Sequence, residues 1–144
     1  MGRRDAHKIK MDPFKKIELQ LMKRRCDSQV FYTPNYDLTK TLPFIERYNA
    51  DNDEKLEIKF FKVFLAAAVR TLALHPECNR FIAGRKIWQR NEISLSFVIK
   101  KELKKGAEES FAIIKFSPYD TLKDVAKRVY HQVHRAKSDE GNES

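Results

Sequence analysis

The chain has only four glycines, five prolines and two cysteines in 144 residues. So little glycine and proline excludes collagen-like and long flexible low-complexity architectures. Two cysteines, Cys26 and Cys78, are too few for a disulfide framework and suit a reducing compartment. No apolar h-region follows the opening "MGRRDAHKIKMD", so no secretory signal is expected and a cytoplasmic location is. The start Met-Gly lacks the Ser or Thr of a myristoylation motif, because position 6 is Ala. The longest apolar stretch, "LEIKFFKVFLAAAVRTLALHP" (56–76), is interrupted by Lys59, Lys62 and Arg70. It therefore reads as a buried helix rather than a membrane span, which needs about 20 apolar residues with few charges.

What is present is a core and a positive charge. Hydrophobic residues make up 42% of the chain, and ten are Phe, which argues for a folded domain rather than disorder. The net charge is +9, and nine of the Lys and Arg lie within the first 25 residues against three acids there. A positive end of this kind attracts polyanions: nucleic acid, a membrane surface or a phosphorylated cofactor.

Local signals set the element order. "DPFKKIELQLMKRR" (12–25) begins with Asp12 as cap and Pro13 in the first helical position, and Phe14, Ile17 and Leu21 form an apolar stripe. "SQVFYTPNYDL" (28–38) is rich in β-branched and aromatic residues and reads as a strand. "KTLPFIERYNADND" (40–53) is a short helix, followed by the long helix of 56–76, whose Ala66-Ala67-Ala68 suggests close approach to a sheet. A short strand at 87–90 precedes Ile93, Leu95, Phe97 and Ile99, which alternate with smaller or polar residues as a half-buried strand does. "SFAIIKF" (110–116) is its partner across a charged loop, "KKELKKGAEE". Asp120 or Thr121 caps a final helix, with Asp124 completing the box. The order α-β-α-α-β-β-β-α predicts an α/β layer arrangement. Residues 1–11 form a basic N-terminal segment, 12–137 the domain, and 138–144 a frayed tail.

The chemistry-bearing residues do not assemble a known site by spacing. His75-x-x-Cys78 has ligand-like spacing, but a structural zinc site needs four ligands, and the remaining Cys and His lie far away in the chain. No metal site is predicted. His131 and His134 are neighbours on the last helix and read as exposed helix-face residues. Cys26 follows Lys23, Arg24 and Arg25, a cationic setting for a thiol, yet no His is near it in sequence. Phosphate-loop, dinucleotide and deaminase motifs are absent. Nucleic-acid binding is the alternative that the charge allows, although no helix-turn-helix or GXXG loop accompanies it.

"FFKVFLAAAVRTLALHPECNRFIAGRKIWQRNEISLSFVIKKE", together with "QVFYTPNYDLTKTLPFIER", resembles the N-terminal half of the chloramphenicol acetyltransferase-like and 2-oxo acid dehydrogenase acyltransferase catalytic domains. The resemblance covers about Asp12 to Lys137. It implies a mixed sheet covered by helices, a homo-oligomer (a trimer) with sites at subunit boundaries, and acyl transfer from coenzyme A or lipoamide. Such families use a His in an H-x-x-x-D-G motif as general base. That motif is absent from this sequence; "HRAKSDEG" (134–141) has the wrong spacing, and no residue is assigned a catalytic role. Acceptor-pocket positions fall at Ser28 and Val30. The expectation is an acyltransferase-like domain that lacks the chemistry by itself, acts in assembly or carrier binding, and either self-associates or meets a complementary C-terminal acyltransferase segment.

Overall fold

The structure is a computed structural model describing residues 3–22, 24–53, 56–100 and 109–138. For Arg25, Lys100, Glu109, Ser110 and residues 136–138 only the backbone is described. The charged loop expected after position 100 and most of the expected tail lie outside the described residues. The chain is α/β, with helices α1 (Pro13–Leu21), α2 (Thr41–Ala50), α3 (Phe60–Leu74) and α4 (Leu122–Ser138). The strands are β1 (Ala6–Lys8), β2 (Arg80–Ala83), β3 (Lys86–Arg90), β4 (Ile93–Lys100) and β5 (Glu109–Phe116). They divide between two compact units: 1–37 with 75–91, and 38–74 with 92–144.

The first unit is built on a three-stranded antiparallel sheet in the order β1-β3-β2. Ala83 pairs with Lys86, so Gly84 and Arg85 form a two-residue turn, with φ of 58° and 55°. Both angles are positive, as the hairpin turn matching the right-handed twist of strands requires. The space around Gly84 is open; conformation rather than crowding calls for glycine there. Buried Gln89 ties the hairpin to the preceding turn Pro76–Asn79: its Nε2 donates to Pro76 O at 2.7 Å and its Oε1 accepts from Arg80 Nε at 2.9 Å. Asp12 caps α1 as its sequence demands, accepting from Phe14 N at 2.9 Å.

The second unit owes its core to alternation in β4 and β5. Leu95 faces Ile114 and Ile93 faces Phe116 across the ladder, all on one side. α3 and α4 cover that side, and Leu65, Val69, Val125 and Val129 complete a buried cluster with Ile93, Ile114 and Phe116. Each such side chain contributes roughly 1.5–3 kcal/mol by leaving water. Ile45, Ile58 and Ala126 form a second cluster. Beside it Asn49 clamps the chain leading into α3: Nδ2 donates to Ile58 O and Oδ1 accepts from Ile58 N, each at 2.9 Å. Thr121 is the true cap of α4, since Asp124 N donates to its Oγ1 and Thr121 N donates to Asp124 Oδ2. Asp120 instead closes the turn before it, accepting from Ser117 N and pairing with Arg128.

Four expectations are corrected. The predicted strand 28–38 does not form: residues Arg25–Ser28 make a 3₁₀ turn, and Val30, Phe31 and Tyr32 are almost wholly exposed. β-propensity expresses packing against neighbouring strands, and among the described residues this segment has none. The basic segment 1–11 instead supplies a strand, β1, because Ala6 and Lys8 find partners in Arg90 and Trp88 of β3. Both sheets are antiparallel, not one mixed sheet, since the pairings seen are hairpins plus one short added strand. The observed order is β-α-α-α-β-β-β-β-α. Finally, α3 is buried on one stripe only. Leu65 and Val69 are covered, whereas Phe60, Phe61, Phe64 and Leu74 remain 41–59% exposed, because the two-stranded hairpin, α4 and the short α2 do not surround it. Ala66 packs on the core while Ala67 faces out.

Two outcomes follow. Ile114→Ala, at the middle of the hairpin's inner face, lowers unfolding free energy by about 2–5 kcal/mol, measured by urea titration. Asp124 is held below its ordinary 3.8, first by the Thr121 hydroxyl and then by the Thr121 backbone N–H. Its stabilisation is therefore complete at neutral pH and is lost as pH falls through the folded value. The stability gap between the natural chain and Asp124→Asn stays constant above about pH 5 and closes as the pH falls below the ordinary carboxylate range, read from thermal melts.

Candidate functional site

The residues singled out by sequence are divided between the two units. Ser28 ends the Arg25–Ser28 turn, and Val30, 91% exposed, lies beyond it on the surface of the first unit. Cys26 is exposed, and its Sγ donates to Asp27 Oδ1 at 3.6 Å. Asp27 also accepts from Arg24 N at 3.0 Å, and these bonds, Arg24's first, hold its carboxyl below the usual range. His75 and Cys78 sit at the stop of α3: Cys78 N donates to His75 O, and His75 Nδ1 faces Glu77 at 3.4 Å. Among the described residues no group of three or more His, Cys, Asp or Glu is placed to hold a metal. His131 and His134 lie against the Tyr130 ring, at 5.8 and 4.1 Å between centroids.

The structure brings together a different set, within the first unit. A groove of about 380 Å³ is lined by Lys8, Lys10, Lys16, Arg85 and Lys86, with Ile9, Met11 and Gln20 between them. Three short-range causes put these cations together. β1 adds to β3 with Lys8 opposite Trp88. The tight hairpin turn carries Arg85 and Lys86 at its tip and exit. α1 presents Lys16, Leu19 and Gln20, spaced i, i+3, i+4 and therefore on one face. An adjoining cavity of about 470 Å³ shares Gln20 and Arg85 as wall and is otherwise lined by Leu19, Met22 and Ile82. Among the described residues lining either cavity there is no carboxylate.

The positive N-terminal end is visible in the sequence; this groove is not. Lys8, Lys10 and Lys16 are about 70 positions away from Arg85 and Lys86, and the β1–β3 pairing is what joins them. The usable signal was the Gly84-Arg85-Lys86 turn between two short apolar runs.

Elsewhere in the first unit, the Arg3 and Arg90 guanidiniums lie over the Phe81 ring at 4.9 and 4.7 Å. In the second unit, Lys62 donates to Glu57 O, and partial burial pushes its amine below the usual lysine range. The outer face of the β4–β5 hairpin carries Val98, Phe111 and Ile113, exposed at 47%, 80% and 64%. Its inner face is the core, so this two-stranded sheet is apolar on both sides.

Among the described residues, four helices and small antiparallel sheets make up an α/β protein. The family model described as 2-oxoacid dehydrogenases acyltransferase (catalytic domain) matches residues 3–140. The chain belongs to that family. No curated protein and no solved structure matches it. No helix among the described residues is long and apolar enough to cross a membrane.

The turn residue Arg85 is a non-glycine at positive φ, a conformation that costs roughly 1–2 kcal/mol. Arg85→Gly relieves most of that cost, offset by the freedom glycine adds to the unfolded chain. The net result expected is a stability gain of up to about 1 kcal/mol in urea unfolding, with loss of one groove cation.

Proposed function

We propose that these 144 residues are the carrier-binding and assembly portion of an acyltransferase catalytic domain with a chloramphenicol acetyltransferase-like fold, working with thioester carriers such as coenzyme A or lipoamide. The observation that carries this is the family match over residues 3–140. The sequence contains no H-x-x-x-D-G motif, so the general base is supplied by a further acyltransferase segment, another chain or a continuation of this one. That base takes the proton from the acceptor thiol or hydroxyl as it attacks the thioester carbonyl. Ser28 and Val30 lie on the acceptor side.

The apolar surface supports an assembly role. The β4–β5 hairpin exposes Val98, Phe111 and Ile113, and α3 exposes Phe60, Phe61 and Phe64. In the described two-stranded sheet, each strand also keeps one edge without a neighbour. Proteins cover such edges or blunt them, and large exposed apolar patches mark interfaces. A homo-oligomer, three-fold by family likeness, provides the cover, as does a complementary C-terminal segment.

Two measurements test this. Light scattering at micromolar concentration gives a mass of several chains, and Phe111→Asp with Ile113→Asp reduces it toward that of one; a single-chain mass for the natural sequence overturns the self-association. Acetyl-coenzyme A is turned over with dihydrolipoamide only after a complementary C-terminal acyltransferase segment is added. Turnover by the 144 residues alone overturns the incompleteness.

A further inference from the structure

The solvent side of α3 is nearly as apolar as the side it buries. Phe60, Phe64, Ala67, Thr71 and Leu74 are all exposed, at steps of four, three, four and three residues. That is the spacing of a seam that meets another helix. Thr71 is apolar in effect: its Oγ1 donates to Ala67 O at 2.9 Å, so the group left for a neighbour is its methyl. Phe61 stands beside the seam, edge-on to Phe97 of β4 at 5.4 Å. A helix apolar all round is one that something covers. Charge selects what covers it. α3 has no carboxylate and no basic residue in its last turn, while Lys62 lies in its first turn and Lys59 just before it. A helix laid antiparallel brings the partial negative charge of its own last carbonyls beside those lysines. A parallel copy would set lysine against lysine. Size selects a second α3. Ala67 is the middle member of the five, with two phenylalanines on its N-terminal side and the smaller Thr71 and Leu74 on its C-terminal side. Turning one copy about Ala67 sets Phe64 against Thr71 and Phe60 against Leu74, the self-complementarity that a two-fold contact requires. The two Arg70 side chains then lie three residues either side of the axis, about 9 Å apart along it. That is close to a screening length at about 0.1 M salt, and each guanidinium meets the turn carrying the partner's Phe64, whose ring attracts it.

We propose that α3 is a two-fold interface, along which a second copy of this chain lies antiparallel with the axis at Ala67. This rests on the assembly reading and adds to it a contact separate from the outer face of the β4–β5 hairpin. Covering the seam removes on the order of a few hundred Å² per copy, the small end of specific interfaces. The pair therefore forms at tens of micromolar chain or above, on the order of magnitude of a weak, reversible contact.

Cysteine cross-linking of the whole chain, with Cys26→Ser and Cys78→Ser as background, tests the register. On mild oxidation Ala67→Cys links two chains readily. Phe64→Cys and Thr71→Cys each link poorly alone, yet link to one another when the two variants are mixed. Linking at Thr71→Cys as fast as at Ala67→Cys overturns the antiparallel arrangement. Linking at Ala67→Cys no faster than at Lys123→Cys, outside the seam, overturns the interface. Sedimentation equilibrium at about 0.2 mM chain separates this contact from that of the hairpin. With Phe111→Asp and Ile113→Asp in place the mass is that of two chains, and adding Ala67→Lys takes it to one. Ala67 is exposed and lysine forms helix well, so thermal melts of the separated chain stay unchanged. Thr71→Val keeps the outward methyl and leaves association within about twofold, whereas Thr71→Lys weakens it about tenfold or more. A single-chain mass before Ala67→Lys is added overturns the second copy as the occupant of α3. A mass that Phe111→Asp with Ile113→Asp does not lower overturns the hairpin contact alone.

Discussion

The second unit depends on one contact surface: the inner face of the β4–β5 hairpin against α3 and α4. An isolated two-stranded hairpin is marginal in water, and among the described residues of this unit there is no other sheet for α3 and α4 to cover. Val69, Val125, Ile114 and Phe116 therefore stabilise both partners together. The Thr121–Asp124 cap, the Asp120 turn and the Asn49 clamp determine where the helices begin, so that their stripes meet that face. The same surface explains what is left uncovered. Once the hairpin's inner face is filled, the described residues of this unit offer no further element for Val98, Phe111 and Ile113, and although Phe61 of α3 meets Phe97 edge-on at 5.4 Å, Phe60, Phe61 and Phe64 stay largely exposed.

The first unit is organised by main-chain pairing rather than by a core. Among its described residues only Ala6 and Gln89 are buried. β1, β2 and β3 are held by ladder bonds, by the Gln89 link to Pro76 and by arginines over Phe81. A unit of this kind presents its side chains outward, and here many of those are cations. Stability in one unit and charge display in the other are thus separated along the chain.

Much of the architecture was legible in local chemistry. Asp12-Pro13, the Thr121–Asp124 box and the period-2 run from Ile93 to Ile99 each carry their own physical cause and appear where that cause places them. The strand expected at Ser28–Leu38 failed because Val30, Phe31 and Tyr32 have the composition of a strand without a neighbour to pair with. The strand at Ala6–Lys8 went unseen because three residues of a basic segment carry no alternation long enough to detect. The cationic groove was hidden for a related reason. Its members are ordinary surface lysines in sequence and become a set only when β1 lies against β3.

What the sequence by itself determined is the family, the helix starts and stops, the apolar faces of β4 and β5 and the surplus of positive charge. These depend on spacing and residue type within a few turns of chain. Tertiary structure decided which apolar faces are covered, that the sheets are antiparallel and separate, and that Lys8, Lys10 and Lys16 stand beside Arg85 and Lys86. Those outcomes depend on pairing between distant segments, and a period of two or 3.6 residues carries no information about a partner some 80 positions away.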